Sequence, residues 1–157
     1  MNSDSVIYMG VDPGRSGSIA FICGNTAWSI KNDSTLKDLA DAVADAQSIA
    51  PIAFALIERV SASPQMGTVS AFSFGQSYGA LEMLLTCAGI SFERITPVTW
   101  QNAMKCRTGG DKNISKNRAQ ELFPTLKVTH ANADALLLAE LAHRMSYERR
   151  VMAVPRP

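Results

Sequence analysis

At 157 residues, with 46% hydrophobic and 18% charged side chains, the chain has the size and mix of one folded domain and is too apolar for a disordered segment. No run approaches the ~18 successive apolar residues of a membrane span, and the N-terminus lacks the basic-then-apolar layout of a signal peptide, so a cytoplasmic protein is expected. A formal charge of +1 excludes a uniformly basic surface, and three distant cysteines (Cys23, Cys87, Cys106) exclude a disulfide framework.

Three short runs come first, Val6 to Val11, Ser18 to Cys23 and Asn25 to Ile30, joined by the turn formers Asp12-Pro13-Gly14 and Gly24-Asn25. They read as a β-meander. Ser34 or Thr35 caps a helix reaching Ile49, with Leu36, Leu39 and Val43 at helical spacing. Ile52 to Ile57 is a continuous apolar run, the mark of a strand covered on both faces, and is placed at the centre of the sheet. After the polar stretch Ser61 to Gly67, a long helix runs to about Ala88 with Gly89 as its stop. Ser91 to Thr96 reads as a fifth strand. Pro97 opens a short helix containing Trp100, a second runs from about Ile114 to Phe123, and the last from Asn132 to Tyr147. The order predicts an α/β fold: a mixed five-stranded sheet, a three-stranded antiparallel meander plus two further strands, flanked by helices. Residues 1–150 form a single domain and 151–157 a loose tail. Cys23 and Cys87 are expected to be buried as small apolar groups.

The small net charge hides an uneven distribution. Residues 1 to 60 carry four Lys or Arg against seven Asp or Glu, and residues 61 to 157 carry eleven against seven. Lys105, Arg107, Lys112, Lys116, Arg118 and Lys127 face only Asp111 and Glu121 within one short stretch. That stretch is a candidate phosphate-binding patch, with a solvated helix face as the plainer reading.

Asp12 and Glu58 each end an apolar strand, and if those strands are neighbours the two acids lie side by side. Each alone is an ordinary strand end or turn. Asp134 shares its helix stripe with Leu137, Leu138, Leu141, Ala142 and Met145, so it points at the core. Three carboxylates gathered at the edge of a core repel one another and resist ionisation unless a cation lies between them. Oxygen-only ligation favours Mg²⁺ or Mn²⁺, and a pair of such ions is a standard apparatus for phosphodiester hydrolysis. His130, four residues before Asp134, is a further candidate ligand or proton relay, or else a solvent-exposed loop histidine. His143 is assigned to the polar side of the last helix.

Asp12 in GVDPGRSGSIAF, Glu58 in ALIERV, the stretch SPQMGTVSAFSFGQSYGALEMLL, ITPVTWQNAM followed by DKNISKNRAQELFP, and Asp134 in ANADALLLAELAHR together resemble the RuvC-like Holliday junction resolvases, in their compact phage and bacterial versions. The resemblance implies a ribonuclease H-like fold, a homodimer, and Mg²⁺-dependent paired nicking of a four-way DNA junction that leaves 5'-phosphate and 3'-hydroxyl ends. It assigns Asp12, Glu58 and Asp134 to the family's acidic positions, and Lys112 and Lys116 to its DNA-contacting segment. The helix carrying Gly75 and Gly79 is then the expected dimer interface, with Phe72 on it, while Phe72, Phe74 and Tyr78 include candidates for stacking on opened bases. There is one departure. The family generally has a fourth acid three or four positions before the last Asp, where this chain has Ala131 and His130, so His130 is the replacement expected at the site.

Two other classes compete. One is a nuclease of the same fold acting on other branched DNA or hybrids, or a junction-binding protein with impaired catalysis. The other is an ATP-using enzyme of the actin and sugar kinase group, suggested by VDPGRSGS, for which the chain is too short; neither a nucleotide cofactor nor a membrane partner is expected.

Overall fold

The computed structural model describes residues 6–153. Strands β1 (Ile7–Asp12), β2 (Ser18–Cys23) and β3 (Thr26–Lys31) form the antiparallel meander. They are followed by α1 (Leu36–Ile49), β4 (Ile52–Glu58), α2 (Thr68–Cys87), β5 (Phe92–Ile95), α3 (Pro97–Ala103), α4 (Lys112–Leu122) and α5 (Ala133–Ala153). The sheet order is β3-β2-β1-β4-β5, with β4 and β5 parallel to β1 and to each other. The fold is thus the mixed five-stranded α/β sheet expected. Its middle strand is β1, with β4 beside it in the interior.

The two-residue period of the strands divides the core. Ile7, Met9, Val11, Ile19, Phe21, Ala55 and Ile57 face α1 and α2, where Leu39, Val43, Ala46, Leu81 and Leu85 close over them. Tyr8, Ala20, Ile22, Phe54 and Leu56 face α5, with Trp100 and Met104 from the α3 end and Ala119 of α4 completing that layer. Asp12 and Glu58 continue the second parity, so both acids emerge on the α5 side. At Gly10, β1 and α5 meet backbone to backbone: a Cβ there would overlap the Ala135 carbonyl oxygen and Ala139 N. The helix that carries Asp134 is therefore seated directly on the strand that carries Asp12.

The ends of the elements follow local chemistry. Thr35 caps α1 through a reciprocal box with Asp38, Gly89 (φ 68) ends α2, and Thr96 with Pro97 opens α3. Helix α5 runs to Ala153, into the stretch read as a tail from residue 151; residues 154–157 lie outside the described residues. The cysteine expectation holds in part for Cys23, half-buried against the core, and fails for Cys87, which is exposed; Cys106 is buried. Cys87 closes α2 on the side turned from the sheet, a placement that helix period alone does not reveal. Among the described residues, no helix is long and apolar enough to cross a membrane.

Candidate active site

Strand register brings the first two acids together. Val11 pairs with Ile57 in the parallel β1–β4 ladder, so Asp12 and Glu58 are the next residues on neighbouring strands and on the same face. On the other side of β1, Asp12 pairs with the buried Ser18. The turn between them is held by Asn32, whose Nδ2 donates to the carbonyls of Asp12 (2.7 Å) and Gly14 (2.9 Å). Gly17 is required here, because a Cβ would overlap the Asp12 carbonyl oxygen. From above, the first turn of α5 delivers Asp134.

The electrostatics show that the three carboxylates form one group. Asp12 is pushed up to about 8, by burial first and then by the charges of Glu58 and Asp134. Glu58 is raised by burial and by Asp134, against a hydrogen bond from Trp100. Asp134 is raised by burial, while the Ser115 hydroxyl, Lys112 and His130 act in the opposite direction. The close hydrogen bond of the Ser115 hydroxyl, at 3.3 Å, goes to the Lys112 carbonyl, so its influence on Asp134 is that of a nearby dipole. Lys112 acts favourably on all three acids. Among the described residues, no Lys or Arg forms an ion pair with any of them.

The acids have gathered without converging on a point. Among the described residues, no three His, Cys, Asp or Glu side chains stand in ligating geometry, so the ligand set of Asp12, Glu58, Asp134 and His130 is not assembled as it stands. The three carboxylates nevertheless suit a hard divalent cation, being oxygen donors, and among the described residues Asp134 Oδ1 is buried without a hydrogen-bond partner. Cys106 lies close enough to feel Asp134, and burial, with that charge behind it, pushes its thiol up to about 11.

His130 lies exposed in the turn before α5, near enough to act on Asp134. His143 is exposed on the far part of α5, 3.6 Å from Glu140, with its ring tilted 36° against that of Tyr8 at 4.9 Å. The basic stretch divides between two faces of α4. Lys112 and Lys116, one turn apart, share the side of the buried Ser115 and Ala119. Arg118 and Lys105 instead line a surface cleft of about 460 Å³ with Ile114, Asn117 and Glu121. There Arg118 is already engaged by the Met104 carbonyl (3.1 Å) and Glu121 (2.9 Å). Lys105 has φ 57, in the left-handed region, and Arg107 is exposed.

Helix α2 leaves a row of apolar side chains in solvent, with Val69 84% and Phe72 66% exposed. Gly75 and Gly79 have open space above them. Phe74 bends toward the hairpin turn, within 3.3 Å of where a Cβ on Gly14 would stand, and Tyr78 packs on the α1–α2 side of the core. Three partners of the acids were missed in the sequence: Trp100, Ser115 and Asn32. Only Ser115 carried a signal, its place between Lys112 and Ala119 on the inner stripe of α4.

No family model matches the sequence, and no curated protein matches it. Solved structures do match the fold. The RuvC of T. thermophilus in complex with Holliday junction substrate superposes with a TM-score of 0.61 at 17% identity, covering 96% of this chain and 99% of that one. A second structure of Thermus thermophilus RuvC gives 0.58 at the same identity and coverage. With a mixed five-stranded sheet flanked by helices and near end-to-end coverage, the chain has the ribonuclease H-like fold of RuvC.

Proposed function

We propose that the protein is a divalent-metal-dependent endonuclease that resolves four-way DNA junctions. One observation carries the reading. Asp12, Glu58 and Asp134, far apart in the chain, share one end of the sheet, are each raised by burial, with Asp12 raised further by the charges of the other two, and have no basic side chain paired with them among the described residues. Such a cluster is costly unless it holds cations. Its support is the fold shared with a RuvC that binds a Holliday junction.

Each residue has a separate task in this reading. Asp12, fixed from behind by the Asn32-braced turn, and Glu58, oriented by Trp100, present carboxylates from the strands. Asp134 adds its unpartnered Oδ1 from α5. Mg²⁺ or Mn²⁺ bound among them would supply activation of a water and stabilisation of the leaving oxygen. Lys112 stands beside the acids as a point charge for a DNA phosphate, with Lys116 one turn further along the backbone path. His130, exposed at the rim, is placed to accept or pass a proton. The bare apolar face of α2 is proposed to meet the same face of a second copy, with Gly75 and Gly79 allowing close approach.

The test is cleavage of a mobile four-way junction beside a matched duplex, a fork and an RNA–DNA hybrid, with Mg²⁺ or Mn²⁺. The expected result is paired nicks in the junction alone or far ahead of the others. Fastest cutting of the hybrid would overturn the substrate assignment, and tight binding without nicking in either metal would indicate a junction-binding protein.

A further inference from the structure

Among the described residues, Glu58 has a close side-chain hydrogen bond to its carboxylate, and the donor is unusual. The Trp100 indole Nε1–H donates to Glu58 Oε1 at 2.8 Å. Trp100 is wholly buried and anchored in the core with Met104 and Leu137. The chain sets its place by short steps. Glu58 pairs with Ile95 across the β4–β5 ladder, Arg59 N donates to the Ile95 carbonyl at 2.7 Å, and Thr96 then caps α3 so that its first turn carries Trp100 over the strand end.

An indole N–H donates and never accepts. It therefore takes one lone pair of Oε1, favours the charged carboxylate, and fixes which way the second oxygen turns. A glutamate otherwise loses much of its rotamer freedom on becoming ordered. We infer that Trp100 is a positioning residue for the cation site: its N–H holds Glu58 so that Oε2 is aimed at the cluster of Asp12 and Asp134. The inference rests on the metal-dependent reading above and extends it to a residue that touches neither DNA nor cation. A plainer role, a core indole finding some acceptor, predicts no link to metal affinity.

The experiment is Mn²⁺ titration by calorimetry on the intact protein and on Trp100→Phe, which keeps most of the ring and removes the donor. Partners of this kind are typically worth 10–100-fold in metal affinity, so Mn²⁺ should bind about tenfold or more weakly to the variant, with junction affinity in metal-free buffer unchanged. Equal Mn²⁺ affinity in both proteins would overturn the inference while leaving the nuclease reading intact; no Mn²⁺ binding to either would overturn both. If Trp100→Phe fails to fold, the chain supplies a second readout, since its two tryptophans are Trp28 and Trp100. In Trp28→Phe the emission of Trp100 should change as Mg²⁺ is added and saturate with the calorimetric isotherm. Emission that stays constant while Mg²⁺ binds would overturn the inference.

Discussion

At the scale of single residues, the account depends on carboxylates whose folded environment disfavours their charge. Asp12 titrates near 8 in the folded protein and near 3.8 in the unfolded chain. Between those values the native state holds a proton that the unfolded state has released, so metal-free stability falls as pH rises. The slope is at most about 1.4 kcal/mol per pH unit for this one group, and it vanishes above about pH 8. Glu58 and Asp134 act in the same direction. Chemical denaturation of the metal-free protein should therefore show declining stability from about pH 4 to pH 8, a flatter curve for Asp12→Asn, and recovery at pH 8 on adding Mg²⁺. Stability that climbs with pH over that window would contradict the electrostatics. Asp12→Asn, Glu58→Gln and Asp134→Asn should each slow cleavage by about 100-fold or more while leaving junction binding within about threefold, measured by gel shift and nicking assays.

At the scale of elements, much was legible. Apolar runs ending in an acid gave Asp12 and Glu58, because a strand interior tolerates no charge and its end does. Asp134 stands beside the other two acids, but the apolar stripe that pointed to it was a weak sign. Ala135, Leu136 and Ala139 are buried as fully as Leu137 and Leu138, so the first turns of α5 are covered all round and an apolar stripe does not single out one face. The stronger sign is Gly10, where α5 lies on the backbone of β1. Gly10→Ala should cost about 1–3 kcal/mol or more by overpacking, with a matching loss of cleavage as Asp134 is lifted from Asp12; a thermal melt and a nicking assay on the same sample check both. Linear charge counting joined Lys105, Lys112 and Arg118 into one patch because it ignored helix faces. The i, i+4 spacing of Lys112 and Lys116 held the finer answer. Trp100 and Asn32 were illegible, since nothing local says which distant atom a buried donor will meet.

At the scale of the whole molecule, the proposed function assigns pairing of two copies to the long helix α2 and phosphate contact to the basic stretch. Lys112→Ala and Lys116→Ala should weaken junction binding and each lower the dependence of log affinity on log salt by about one. Arg118→Ala, with its side chain already committed to Met104 and Glu121, should change the salt slope far less. Phe72→Glu should convert a dimer to a monomer in light scattering, because it puts a charge in the middle of the exposed apolar row of α2. The measurement closest to the centre of the account is anomalous diffraction from crystals soaked in Mn²⁺. The account predicts density for manganese bounded by Asp12, Glu58 and Asp134. Manganese bound elsewhere, with those three acids left without it, would contradict the account.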